Sequence, residues 1–277
     1  MNNMIYGPQI EGLGKLCLIY EQVDIASSFK ELNKIGAEPA SCRDYFTAVN
    51  RSPESQFGYP ALTGFKTPLS SGWIREGYVT IPNGPTLLIA SSPLLNCLDN
   101  LVKDFRLRRE KAQRDKWPFR MGTKRYGRHQ KLEEDYEIGP FYIEDVSTYM
   151  AIAKEDEILP PEKKRILILN ESDFSGKKDS GGWISINPRD FSREDITRFL
   201  FRDVASISLQ RFPQFNQALR VGITMQEDIT NWEEKLKCKI RKPFAKQLYF
   251  DMNEFILKNA FSYEYLSKGF IGLKPEK

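Results

Sequence analysis

Two short apolar runs, Gly77-Tyr-Val-Thr-Ile81 and Thr86-Leu-Leu-Ile-Ala90, flank the tetrapeptide Pro82-Asn-Gly-Pro85. β-Branched and aromatic residues favour the pleated conformation, and Asn-Gly tolerates the positive φ that a tight reversal demands. The segment therefore predicts a β-hairpin and commits this part of the chain to a sheet. Neither Pro82 nor Pro85 has an amide to donate, so the connection is expected to be longer than two residues.

The elements around the hairpin follow from periodicity and punctuation. Lys15 to Tyr20 reads as a short strand, Ile25 to Lys34 as a helix, and Cys42 to Val49 as another. Asn50 to Ser71 contains Pro53, Pro60 and Pro68 with Gly58 and Gly64, and is turn-rich. Ser92-Pro93 opens a helix with an N-cap serine and a proline in the first turn. Leu94, Leu98, Leu101, Val102 and Phe105 form its apolar stripe, and Trp117-Pro118 ends it after Lys116.

Further on, Tyr142 to Lys154 reads as a helix containing Glu144-Asp145. Arg165 to Leu169 and Gly182 to Ile186 read as strands joined by a polar hairpin loop. Ser192-Arg-Glu-Asp195 has the spacing of a capping box, and the helix it starts is expected to reach Phe212-Pro213. Helices are also expected from Thr230 to Ile240 and from Phe244 to Leu266, followed by a short extended tail. The expected fold is α+β: an N-terminal half with a β-hairpin and helices, and a mainly helical C-terminal half with a short two-stranded element. A domain at 1–116, a linker or functional loop at 117–141 and a second domain at 142–277 fit the 277 residues.

Charge is distributed unevenly. Between Lys103 and Lys131 lie twelve Lys or Arg against three acids, a local net charge of +9. The whole chain carries only +4, which leaves −5 for everything else. Such segregation points to a polyanionic partner. Arg106, Arg108, Arg109, Lys111, Arg114, Lys116, Arg120, Lys124, Arg125, Arg128 and Lys131 are candidate phosphate contacts. Trp117, Phe119 and Tyr126 are candidate stacking or wedging residues on unpaired bases, and His129 is a further phosphate or base contact. The same pattern of charge also fits a solvated helix face with arginines paired to Glu133-Glu134-Asp135, or a surface that docks on an acidic protein. Lys235 to Lys246 is a second basic cluster, for which amphipathic packing accounts equally well.

No motif names a reaction or a cofactor. One histidine and four scattered cysteines (Cys17, Cys42, Cys97 and Cys238) write no zinc site of ordinary spacing and exclude chemistry built on histidine pairs. The cysteines are expected to be reduced. Ser175-Gly-Lys-Lys-Asp-Ser-Gly-Gly182 lacks the Walker spacing, although amides at Gly176 and Gly181 suit an anion nest. No apolar run is long enough to span a bilayer, and the N-terminus lacks signal-peptide character, so a cytoplasmic protein is expected. The functional expectation is a non-catalytic nucleic-acid-binding subunit of a nucleoprotein complex, with DNA or RNA and other subunits as partners and no membrane. One alternative is a metal-dependent nuclease using Asp173 with Lys177 or Lys178, or Asp190 with Glu194. The other is a scaffold protein docking on an acidic partner.

Overall fold

The computed structural model describes residues 4–19, 25–51, 71–98, 141–174, 177–178, 183–204, 218–224, 226–236, 239–251, 256–259 and 270–276. Statements about structure concern these residues. The chain begins with the antiparallel pair β1 (Met4–Ile10) and β2 (Gly14–Ile19), then α1 (Ile25–Lys34), β3 (Glu38–Pro39) and α2 (Cys42–Arg51). The predicted hairpin forms from β4 (Ser71–Thr80) and β5 (Thr86–Ile89), with Thr80 opposite Thr86. Its loop is longer than two residues, and Asn83 takes the positive φ, at 58°. A 3-10 turn, Pro93–Asn96, follows, and the Ser92 side chain accepts a hydrogen bond from the Leu94 amide. The rest of the helix expected there lies outside the described residues.

After β6 (Phe141–Tyr142) come α3 (Ser147–Glu155), β7 (Ile166–Leu169), β8 (Ile184–Ile186) and α4 (Asp195–Phe201). Then follow β9 (Leu219–Val221), α5 (Gln226–Leu236), β10 (Phe244–Asp251), β11 (Ile256–Asn259) and β12 (Phe270–Lys274). All twelve strands belong to one sheet whose main path runs β1-β2-β12-β4-β10-β11-β9-β8. The β12–β4 and β11–β9 pairs are parallel, and the remaining pairs are antiparallel.

The C-terminal half is therefore not mainly helical. Phe244 to Asp251, expected as the start of a long helix, is a strand that pairs with both β4 and β11. Residues 244–250 are all buried, so apolar side chains occupy both faces and the alternation that marks a one-sided strand is lost. The expected extended tail is β12, an interior strand between β2 and β4. The short two-stranded element also differs: β7 pairs with β5 and β8 with β9, so the two do not form a hairpin. Glu144 and Asp145 precede α3, and the Asp145 carboxylate accepts hydrogen bonds from the Ser147 amide and hydroxyl. α4 starts from Glu194 with no side-chain cap and ends at Phe201, where Arg202 adopts φ 52°.

Alternation along the central strands assigns the two faces of the sheet. Ile74 and Tyr78 of β4, with Leu248 and Phe250 of β10, enter a core with Tyr45 and Phe46 of α2 and Phe199 and Phe201 of α4. Trp73, Val79, Ala245 and Tyr249 enter a second core with Leu32 of α1, Leu94, Leu98 and Ala153 of α3. Aromatic packing is dense in both: Phe46 and Phe201 centroids lie 4.6 Å apart, and Trp73 and Tyr249 meet edge-on at 5.4 Å.

Candidate charged cleft at the start of the second helix

A bulge in β4 shapes this region. Gln247 pairs with Gly77 and Tyr249 with Trp73, so three residues of β4, Ile74 to Glu76, oppose Leu248 alone. The extra residues leave the ladder, and their backbone groups need other partners. The Gln247 side-chain amide donates to the carbonyls of Ile74 and Glu76, the latter at 3.0 Å. The Arg75 amide donates to Ala40 and its carbonyl accepts from Ser92. Here β4 also changes neighbour, from β12 at Trp73 to β5 from Gly77 onward.

The bulge places Arg75 and Glu76 beside the N-terminus of α2. That terminus is closed by a reciprocal capping box: the Asp44 amide donates to Ser41 Oγ and the Ser41 amide to Asp44 Oδ2, each at 3.0 Å. The Cys42 amide donates to both Glu76 carboxylate oxygens at 3.1 Å. Glu76 is fully enclosed, and burial raises its pKa to about 7. The Arg75 charge and the Cys42 amide oppose that rise, and Asp44 adds to it. Burial, with Glu76 and Asp44 nearby, also holds the Cys42 thiol well above its ordinary pKa.

Above these groups lies a cleft of about 390 Å³. The start of α2 contributes Ser41, Arg43 and Asp44, and β4 contributes Arg75. Glu162 and Lys163 come from the 3-10 turn Pro161–Lys163, and Arg202 and Asp203 from the turn after α4. Arg43 donates to Asp203 through Nε and Nη2, which raises the pKa of the guanidinium and lowers that of the carboxyl. Glu162 accepts from Arg198 Nη2 at 2.8 Å. Arg202 Nη1 donates to the Glu162 carbonyl at 2.7 Å, which anchors a residue whose backbone occupies glycine's region. Arg75 lies 3.5 Å from Asp44.

Comparisons with protein families, curated proteins and solved structures give no match. Function is therefore argued from geometry and charge.

The fifteen candidate contacts in the basic segment, Arg106 through Lys131, all lie outside the described residues. The cleft leaves one local signal in the sequence, Ser41-Cys-Arg-Asp44, which has the capping-box spacing. Its basic residues are scattered from position 43 to 202 and form no pattern. In the second basic cluster, Ile240, Phe244 and Lys246 are buried and Lys239 pairs with Glu233. Asp173 accepts from the Asn170 amide, and Lys177 pairs with Glu194 at 2.8 Å. No group of three His, Cys, Asp or Glu side chains among the described residues could hold a metal ion.

Proposed function

We propose that the chain binds nucleic acid through residues 103–131, as a non-catalytic subunit of a nucleoprotein complex. The carrying observation is the separation of charge: +9 within that segment against −5 in the remainder. The described body supports this reading because many of its cations are already neutralised. Lys34 pairs with Glu31, Arg43 with Asp203, Arg165 with Asp156, Lys177 with Glu194, and Arg198 with Glu162. The residues flanking the segment give it a firm base: Leu98 on one side and Ile143 and Val146 on the other belong to the same apolar core. Arginines and lysines there would grip phosphates while Trp117, Phe119 and Tyr126 stack on bases, so recognition rests on backbone and shape. The free thiols of Cys17, Cys42 and Cys97 suit a reducing compartment such as the cytoplasm, and no helix among the described residues is long and apolar enough to cross a membrane.

The test is binding of fluorescent single-stranded and duplex DNA and RNA across a salt series. Six phosphate contacts predict a loss of roughly 10³ in affinity between 50 and 200 mM salt. Changing Arg108, Arg109, Lys124 and Arg125 together to glutamate is expected to weaken binding and make the salt slope shallower. Equal binding by the variant, or no binding at 50 mM salt, refutes the reading. Co-purification with an acidic protein, free of nucleic-acid absorbance, favours the scaffold alternative.

A further inference from the structure

Four cations and three carboxylates line the cleft, a small excess of positive charge. Its three lining carboxylates are all engaged: Asp44 by the Ser41 amide, Asp203 by Arg43, and Glu162 by Arg198. Its donors are not. A guanidinium has five N–H groups and an ammonium three. Arg202 uses Nη1 on the Glu162 carbonyl, and Arg43 uses Nε and Nη2 on Asp203. Arg75 lies 3.5 Å from Asp44, and its charge also acts on Glu76. Lys163 is exposed, and its charge also acts on the neighbouring Glu162 carboxyl. The amides at the start of α2 add little, because Ser41, Cys42 and Asp44 donate within the protein.

A space of about 390 Å³ is therefore lined by unused donor capacity from four separate elements. The carboxylates keep free lone pairs, but four cations line the cleft against three carboxylates, and Arg198 counters Glu162 as well, so the lining favours an anion. A compact oxyanion with several acceptor oxygens matches the inventory, and planar guanidinium forks suit phosphate in particular. We infer that the cleft is a phosphate-binding site in which Arg75 and Lys163 make the principal contacts and Arg202 and Arg43 complete the ring. The site is separate in sequence from residues 103–131 and does not depend on the role proposed for them. The phosphate belongs either to a small free ligand or to a nucleic-acid strand, and the recognising chemistry is the same.

The experiment is calorimetric titration of the full chain with inorganic pyrophosphate at low ionic strength. It is repeated with Arg75→Gln, with Lys163→Gln, and with the arm variant carrying glutamate at positions 108, 109, 124 and 125. Pyrophosphate is expected to bind, and each cleft substitution to weaken it about tenfold, the loss of one charge-assisted hydrogen bond. The arm variant should bind pyrophosphate as the parent does, even though it loses nucleic acid. Lys163→Gln lies at the surface and guards against a folding artefact, checked by an unchanged thermal midpoint without ligand. Displacement of pyrophosphate by a 5′-phosphorylated oligonucleotide assigns the site to a strand, and its absence assigns it to a free phosphate compound. No binding at millimolar pyrophosphate, or the parent's affinity retained in both cleft variants, overturns the inference.

Discussion

Glu76 is a buried carboxyl for which the fold provides the backbone amides of Cys42 and of Glu76 itself as donors, and one nearby cation, Arg75. These do not compensate for lost hydration, so its pKa stands at about 7 against an ordinary value of 4.5. The unfolded chain releases this proton near pH 4.5 and the folded chain keeps it until about 7. Between those limits the folded state binds more protons, so raising the pH favours unfolding. A shift of this size corresponds to about 3 kcal/mol of stability, fully present below pH 4.5 and fully lost above pH 7. Urea unfolding at pH 5 to 8 should show this decline in the parent and a flatter profile in Glu76→Gln. Identical slopes in the two proteins would contradict the assignment. Little of this is legible in the sequence. Arg75-Glu76 sits in an ordinary strand pattern, and only the bulge, which depends on Gln247 far along the chain, turns the pair toward α2.

Two segments share the spacing Ser-x-x-Asp, and only one caps a helix. Ser41 and Asp44 exchange hydrogen bonds at the start of α2. Ser192 and Asp195 do not cap α4: it begins from Glu194, whose amide donates to the Asp190 carbonyl within the preceding turns. Ser41→Ala should therefore cost about 1 kcal/mol in chemical denaturation, and Ser192→Ala close to nothing. A comparable cost for both would mean that local spacing governs and tertiary context does not. Elements whose signals are local are legible in the sequence: α1 over Ile25 to Lys34, and the hairpin around Asn83. Legibility ends where packing decides. Phe244 to Phe250 is buried on both faces, so helical and strand spacings fit it equally, and only its partners β4 and β11 select the strand.

At the scale of the molecule, the last described strand completes what the first ones begin. β12 pairs with β2 from Phe270 to Lys274, meets β3 at Gly272 and Leu273, and runs parallel to β4 at Trp73. Phe270 and Ile271 are fully buried, one in each of the two cores. Gly272 lies where a Cβ would come within 2.3 Å of Leu32 and 3.0 Å of Cys17, so the strand packs tightly against α1 and β2. These contacts span nearly the whole chain, and sequence patterns of a few residues carry no information about them. Such non-local pairing is also slow to form, since loop closure precedes its reward. A chain ending at residue 269 would leave facing edges of β2 and β4 unpaired and open both cores. It should show no cooperative urea transition and should bind a dye that reports exposed apolar surface, whereas a chain ending at residue 274 should unfold cooperatively. If the shorter chain unfolded with the parent's midpoint, β12 would be an addition to a sheet that closes without it.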